Sequence, residues 1–315
     1  MRHNILIVGA GELGSRYLQG LKKVPLNSNI YIVDINKNSL KLSKKRWDSI
    51  KIKHFHKCFY YIKLPNKVIN FDLVIVSSTA NVRLKIIQNI LNKYKVKNWI
   101  LEKLLAQNSI DVLKIHHLLK NSNAWVNTCD KTFKWFKKIK SYKTKVKKSN
   151  FEVKGNGWGI ISNSIHLIDF YEWWTNEKLL KVDANKLSKK WFNTKRKGFI
   201  ETTGSIYCDF SKGSTLNLEC KNNKSKPSTQ KYLLDDWKIN KFKGYAKKNS
   251  GLVIKGELDP MSNIVTEYVV DILVNGKCEL TDLKNSSRIH RLYLDALLKN
   301  WNCSGNAHKK IFNIT

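Results

Sequence analysis

Cysteine is the first scarcity that decides something. The 315 residues hold six, Cys58, Cys129, Cys208, Cys220, Cys278 and Cys303, far apart, with no CxxC pair and no Cys/His cluster at zinc-ligand spacing. A disulfide-stapled fold and a zinc module are excluded, the thiols read as reduced and mostly structural, and no metal is expected. Arginine is scarce too, seven against 51 lysines, whereas readers of phosphates and bases lean on Arg. Long apolar runs are missing: only a short one precedes Gly9, and none approaches the roughly 18 residues of a membrane span. The expectation is a soluble cytoplasmic protein with no membrane partner. Internal repeats and low-complexity linkers are also absent.

The composition that remains, 42% hydrophobic and 26% charged, suffices for one large or two ordinary cores. The net charge of +34 divides into +16 over residues 1–123 and +18 over the rest. A surplus spread so evenly is no basic arm; it reads as lysine on solvated faces and is compatible with an anionic ligand. Nucleic acid is not an expected partner.

Up to about residue 128, short β-branched runs (Ile5–Val8, Ile30–Val33, Leu73–Val76, Trp99–Leu101, Trp125–Val126) alternate with segments of helical period. In Asn81–Tyr94, Leu84, Ile87 and Leu91 share a face; in Ser109–Leu119, Ile110, Leu113 and Leu118 do. This is the pattern of a doubly wound α/β domain, expected over residues 1–123. From Lys131 to Lys148, nine lysines surround Phe133, Trp135, Phe136 and Tyr142. Such a string suits an amphipathic helix or a nucleic-acid surface, and the helix is favoured. A helix over Ile160–Trp174 precedes strand-like runs at Ile200–Phe210, Ser214–Cys220, Tyr232–Ile239 and Leu252–Ile254, and two helices, about Met261–Asn275 and Asn285–Trp301, close the chain. Residues 124–315 are therefore expected to form an α+β domain with a largely antiparallel open sheet.

The sharpest motif is Gly9-Ala-Gly11-Glu-Leu-Gly14, a GxGxxG placed after a strand and before a helix. The first glycine permits the tight turn, the second lets a pyrophosphate touch the backbone, and the third lets helix and strand pack. Asp34 ends the next strand 20 residues past Gly14, where a carboxylate accepts ribose hydroxyls and repels a 2′-phosphate. NAD(H) is thus favoured, with NADP(H) the alternative because Lys37 and Lys41 soften the repulsion. Gly9, Gly11, Glu12, Leu13, Gly14 and Asp34 are candidate cofactor residues. Ser78, Thr79 and Asn81, in the turn after Leu73–Val76, join them at the carboxyl edge of the sheet, as does Glu102. Lys103 leaves a buried run beside Glu102; a desolvated lysine there can exchange or stabilise a proton on a reacting oxygen. On the expected helix, His166 and Asp169 share a face, so the carboxylate can hold one ring nitrogen while the other meets substrate.

In this order the pieces resemble the glucose-fructose oxidoreductase / inositol dehydrogenase (Gfo/Idh/MocA) family over nearly the whole chain, and in particular members from bacterial surface-polysaccharide and nonulosonic-acid gene clusters. The similar stretches are GAGELG, Asp34, the turn 77–81, Glu102-Lys-Leu-Leu105, Asn156-Gly-Trp-Gly159 with Asn163-Ser-Ile-His166, and Ser287-Arg-Ile-His-Arg291 through Trp301-Asn302. The resemblance implies hydride transfer between nicotinamide and a carbon of a sugar, amino sugar or nucleotide sugar, in surface glycan biosynthesis. It implies that Lys103 and His166 act on the substrate hydroxyl, that Trp158 and Asn163 orient the sugar with Asp169 and Lys131 beside it, and that the chain forms a dimer or tetramer. The chain departs from many members at Leu104, where they have Pro, at Ser162, where they have Asp, and at Asn127-Thr-Cys-Asp-Lys131, where they have Asn followed by Pro and Arg. The alternatives are a non-catalytic dinucleotide-binding sensor or scaffold, which loss of the carboxylate at Ser162 favours, and a basic nucleic-acid-binding protein.

Overall fold

The structure, a computed structural model, describes residues 2–306 and 312–315. It divides into two compact units that are discontinuous in the chain. The first takes residues up to Ala106, Ile110–Asn127 and Asp259–Ser287; the second takes Gln107–Ser109, Thr128–Leu258 and Arg288 onward.

In the first unit, strands β1 (His3–Val8), β2 (Ser28–Val33), β3 (Lys57–Tyr61), β4 (Asn70–Val76), β5 (Lys95–Leu101) and β6 (Asn123–Val126) alternate with helices α1 (Glu12–Leu21), α2 (Lys37–Asp48), α3 (Ala80–Leu91) and α4 (Ser109–Leu118). The sheet order is β6-β5-β4-β1-β2-β3, all parallel, with Thr281–Asp282 added antiparallel beyond β6. Ile5, Leu6, Ile7, Leu73, Val74, Ile75, Trp99, Ile100 and Leu101 are wholly buried, because helices on both faces turn central parallel strands into continuous apolar runs. One helix is rotated from expectation. Ile110, Leu113 and Leu118 are 63%, 41% and 36% exposed, and α4 instead buries Val112 and Ile115. Apolar residues surround this helix on every side, so its period does not choose a face; packing on the sheet does.

The second unit holds α5 (Lys134–Ser141), β7 (Asn150–Asn156), α6 (Ile160–Thr175) and strands β8 (Leu179–Asp183), β9 (Phe192–Asn193), β10 (Ile200–Glu201), β11 (Gly204–Phe210), β12 (Thr215–Lys221), β13 (Thr229–Leu234), β14 (Trp237–Asn240), β15 (Tyr245–Lys248) and β16 (Val253–Lys255). Eight of these make a sheet of order β16-β15-β14-β13-β7-β12-β11-β8, antiparallel except for β7 with β12. The expected parallel domain followed by a largely antiparallel open sheet is therefore present. Two expected strands are each broken in two. Ile200–Phe210 divides at Gly204, which has φ +113 and whose Cβ would lie 2.4 Å from the Lys186 carbonyl oxygen. Tyr232–Ile239 is a hairpin turning at Asp235, whose φ is 53°.

Alternate residues of β11, β12 and β13 are buried, and α6 lies on that face through an aromatic cluster in which Phe151 and Tyr171 stand 5.5 Å apart and Tyr171 and Phe210 4.9 Å. In the lysine-rich stretch, α5 buries Trp135, Phe136 and Ile139 while its lysines stay partly or fully exposed, which is the amphipathic-helix arrangement. With Phe133 also buried, three of the four aromatics belong to the core rather than to a stacking surface.

Helix α7 (Met261–Asn275) returns to the first unit and packs on α1. Contact is close because Gly20 has no side chain: a Cβ there would stand 2.6 Å from the Ser262 carbonyl oxygen and 2.7 Å from Val265 Cβ. Thr266 donates its hydroxyl to the Gly20 carbonyl at 2.9 Å. Helix α8 (Leu283–Trp301) is the last long element. Among the described residues no helix is long and apolar enough to cross a membrane.

Candidate functional site

Two of the three glycines of GAGELG are sterically required. Gly9 has φ +96, and a Cβ on it would lie 2.9 Å from the Ser78 amide nitrogen. A Cβ on Gly14 would lie 1.8 Å from the Gly9 carbonyl oxygen, so α1 can leave the sheet here only if this residue has no side chain. Gly11 differs: among the described residues, its two chain neighbours aside, nothing stands within 4 Å of the place its Cβ would take. The open space lies at the start of α1, where free amides favour an anion. Asp34, half-buried at the end of β2, accepts the Ala10 N–H through Oδ2 at 2.7 Å and the Asn36 N–H through Oδ1 at 2.8 Å. These bonds fix the carboxylate against the glycine turn. Glu12 is exposed and pairs with Arg46, whose guanidinium lowers its pKa. Leu13 is half-buried beside it.

The turn after β4 lies against this loop. Ser77 donates its hydroxyl to the Gly9 carbonyl at 2.6 Å, and Thr79 donates to Asn81 Oδ1 at 2.6 Å. Ser78 Oγ is buried and has no hydrogen-bond partner among the described residues. Arg83 on α3, which no local pattern in the sequence singles out, is wholly buried and fastens this turn to the next one. It donates to the Ser78 carbonyl, to the Leu104 carbonyl and, at 3.1 Å, to that of Leu105. Burial pulls its pKa down to about 10, which still leaves it charged at neutral pH.

Glu102 sits at 4% exposure at the end of β5. Its Oε1 accepts from Tyr17 at 2.5 Å and from Asn127 Nδ2 at 2.6 Å. Burial raises its pKa, against the pull of those bonds and of the Arg83 and Lys103 charges. Lys103 follows, half-buried, and its peptide bond to Leu104 is cis. The structure thus brings the glycine turn, Asp34, Ser78 and the Glu102 cluster to the carboxyl edge of one parallel sheet, the edge where doubly wound sheets bind ligands.

In the second unit the chemistry gathers around the start of α6. Gly159, with φ +71, precedes the helix and offers no side-chain cap. A distant residue substitutes: Glu201 of β10 accepts the Ile161 and Ser162 N–H groups at 2.9 Å each and the Ser162 hydroxyl at 3.1 Å. Asn163 donates Nδ2 to the Trp158 carbonyl at 2.6 Å, and the buried Trp158 indole donates to the Glu219 carbonyl at 3.0 Å. Asp169, 4% exposed, accepts the Thr128 hydroxyl at 2.9 Å and pairs with Lys131 at 3.5 Å. A thiol, a carboxylate and an imidazole, those of Cys129, Asp130 and His166, approach within 4.8 Å of one another. Asp130 is engaged there by the Lys241 ammonium at 2.6 Å. Burial alone would pull the Lys241 pKa down, but Asp130 and Tyr232 outweigh it and hold it above its ordinary value. Glu201, Arg83 and Lys241 leave no signal in the sequence, because the bonds that give each its place, to Ile161, Leu105 and Asp130, span 40, 22 and 111 positions.

Solved structures share this architecture. An oxidoreductase from Agrobacterium radiobacter, in complex with NAD+, L-tartaric acid and magnesium, is 15% identical, with 96% of this chain and 97% of that one covered at a TM-score of 0.69. The UDP-N-acetylglucosamine 3-dehydrogenase GnnA from Acidithiobacillus ferrooxidans is 9% identical over 96% and 99%, also at 0.69. Scyllo-inositol dehydrogenase from Lactobacillus casei, with bound NAD(H) and scyllo-inositol, is 15% identical over 96% and 98% at 0.67. The chain has the fold of the Gfo/Idh/MocA-type oxidoreductases. At these identities the likeness is one of fold. No protein-family model matches the chain, and no curated protein matches it in sequence. Within the Gfo/Idh/MocA-type fold, the glycine turn and Asp34 occupy the edge of the parallel sheet, and His166 lies on the long helix covering the open one.

Proposed function

We propose that the protein is an NAD-dependent oxidoreductase that moves hydride between nicotinamide and an alcohol carbon of a sugar or sugar-like polyol. The carrying observation is the open space at Gly11 beside an Asp34 carboxylate held on the Ala10 amide. The residues present fit a dinucleotide: a pyrophosphate needs the volume that a Cβ on Gly11 would fill, and the ribose needs an acceptor at the end of β2. Gly9, Gly11, Glu12, Leu13 and Gly14 would hold the pyrophosphate. Asp34 would accept the adenosine ribose hydroxyls, and its charge favours NAD(H) over NADP(H). Ser78, Thr79, Asn81 and Glu102 would border the rest. Neighbours of this fold solved with NAD+ and L-tartaric acid, or with NAD(H) and scyllo-inositol, and one that is a UDP-N-acetylglucosamine 3-dehydrogenase support the reading.

When bound, the cofactor supplies a nicotinamide carbon that accepts or returns hydride. In this reading the chain's own part is proton handling and orientation. Lys103 polarises the reacting oxygen, and His166 takes up the hydroxyl proton during oxidation and gives it back during reduction. Trp158, Asn163, Asp169 and Lys131 line the substrate side of the second unit. The lysine surplus suits an acidic or nucleotide-activated sugar of the kind used in bacterial surface glycans.

Titration with NADH and with NADPH, followed by a panel of sugars and nucleotide sugars read at the nicotinamide absorbance, tests this. Saturable NADH binding with turnover on a panel member is expected. Failure of both cofactors to bind removes the reading, and binding without turnover across the panel points to the sensor alternative. Lys103→Met should abolish turnover while leaving NADH affinity within about threefold.

A further inference from the structure

We infer that Cys129, Asp130 and His166 form a binding site for one Zn2+ ion: a thiolate, a carboxylate and an imidazole, with a fourth position left open. Their ligand atoms lie within 4.8 Å of one another, and among the described residues no other set of three such side chains converges in this way. Zinc bonds to sulfur, nitrogen and oxygen are about 2.0–2.3 Å long, which puts the corners of a tetrahedron about 3.3–3.7 Å apart. Side-chain rotations that draw the set in by about 1 Å therefore suffice. Asp130 is buried, while Cys129 and His166 are half-buried and reachable by an ion from solvent. The backbone beneath the set is already fixed. Cys129 and Asp130 stand on a one-turn helix, Cys129–Thr132, that follows β6. The residues flanking them, Thr128 and Lys131, both engage Asp169, at 2.9 and 3.5 Å, one turn along α6 from His166. Thr132 donates its hydroxyl to the Cys129 carbonyl at 2.8 Å. Spacing could not announce this set, because its members come from two separate elements.

Lys241 decides which cation suits the site. Its ammonium bonds Asp130 Oδ2 at 2.6 Å, but a carboxylate has about four lone-pair sites, so that bond and a metal bond can coexist, with the ammonium as an outer partner. The ammonium's repulsion tells against Mg2+ and Ca2+, which depend on several oxygen ligands and find one carboxylate in this set. A borderline ion held mainly by sulfur and nitrogen tolerates it. Binding replaces the Cys129 S–H bond by an S–Zn bond, and the proton goes to solvent. Three protein ligands leave the fourth corner for water, as in open rather than structural zinc sites. The consequence for turnover rests on the oxidoreductase reading. An imidazole with one nitrogen on the metal carries its hydrogen on the other and cannot take up a substrate proton, so the bound ion is an inhibitor.

The test is a titration of the reduced full chain, without cofactor, first with Co2+ as a spectroscopic probe and then with Zn2+ as competitor. One equivalent of Co2+ should produce a thiolate-to-cobalt charge-transfer band that Zn2+ removes and that an excess of Mg2+ leaves in place. Cys129→Ser should abolish the band, and His166→Asn should weaken Zn2+ by about tenfold or more. Absence of the band, or its survival in Cys129→Ser, overturns the inference, as does unchanged Zn2+ affinity in His166→Asn. If the variants do not fold, judged by circular dichroism, the wild type decides. Zn2+ should then slow iodoacetamide labelling of Cys129, read by peptide mass spectrometry, by about tenfold or more, and equal labelling overturns the inference. Because the metal is read without nicotinamide, failure of this site and failure of the oxidoreductase reading are distinguishable. If both stand, Zn2+ should inhibit turnover at the concentration that displaces Co2+, and a chelator should restore it.

Discussion

Asp130 and Lys241, 111 residues apart in sequence, meet through a 2.6 Å contact and are 6% and 14% exposed in their side chains. Pairs of this kind cost a great deal when half is removed, since the partner's charge stays behind in a dry place. Asp130→Ala is expected to destabilise the second unit by about 3–5 kcal/mol, whereas Asp130→Ala with Lys241→Met should recover most of that loss. Urea denaturation of the wild type and the two variants checks the difference.

Gly11 and Gly14 should separate binding from folding. An alanine at Gly14 places Cβ 1.8 Å from a backbone oxygen and must displace α1, so a loss of about 2 kcal/mol or more is expected. At Gly11 the φ of −65° suits any residue and nothing obstructs the methyl. Gly11→Ala should keep stability within about 1 kcal/mol yet weaken NADH at least about tenfold by occupying the pyrophosphate's space. Equal effects at the two positions would remove the assignment of Gly11.

Asp34 should govern the choice of dinucleotide. Asp34→Asn retains an oxygen that can accept the Ala10 N–H while losing the charge. Discrimination between NADH and NADPH is expected to shrink by about tenfold, read from the ratio of the two dissociation constants.

Glu102 makes stability depend on pH in a direction opposite to an ordinary salt-bridged carboxylate. Its folded pKa is raised by burial, so between the unfolded and folded values the native state holds the extra proton, and stability falls as pH rises through that window. Glu102→Gln cannot titrate. The stability of the wild type relative to this variant should therefore decline from pH 4 upward until the folded pKa is passed, with denaturation midpoints at several pH values as the measure.

Gly20 marks where the first unit closes on itself. Gly20→Ala brings a methyl within 2.6 Å of Ser262 and 2.7 Å of Val265, and should cost about 1–3 kcal/mol by separating α1 from α7. Thermal unfolding reads it directly.

Much of this arrangement was legible in the residues. Apolar runs such as Ile5–Val8 and Leu73–Val76 announce parallel strands because burial on both faces leaves no polar alternation. GAGELG announces its turn because only glycine tolerates the crowding at Gly9 and Gly14. Local pattern leaves the rest open. Helix α4 has apolar residues all round, the strand expected at Tyr232–Ile239 turns back on itself at Asp235, and β7 has no distinct signal beside the lysine-rich stretch.

By itself, then, the sequence determined the parallel sheet, the glycine turn and the place of Asp34, since these depend on neighbours a few residues away and on sterics that one residue type satisfies. Tertiary structure alone decided that Asp259–Ser287 returns to the first unit, that Arg83 ties two turns together, and that Glu201 supplies a carboxylate to the start of α6. Those decisions depend on long-range packing and on buried polar groups finding partners, and a hydrogen bond across 39 residues leaves no trace in the spacing of either end.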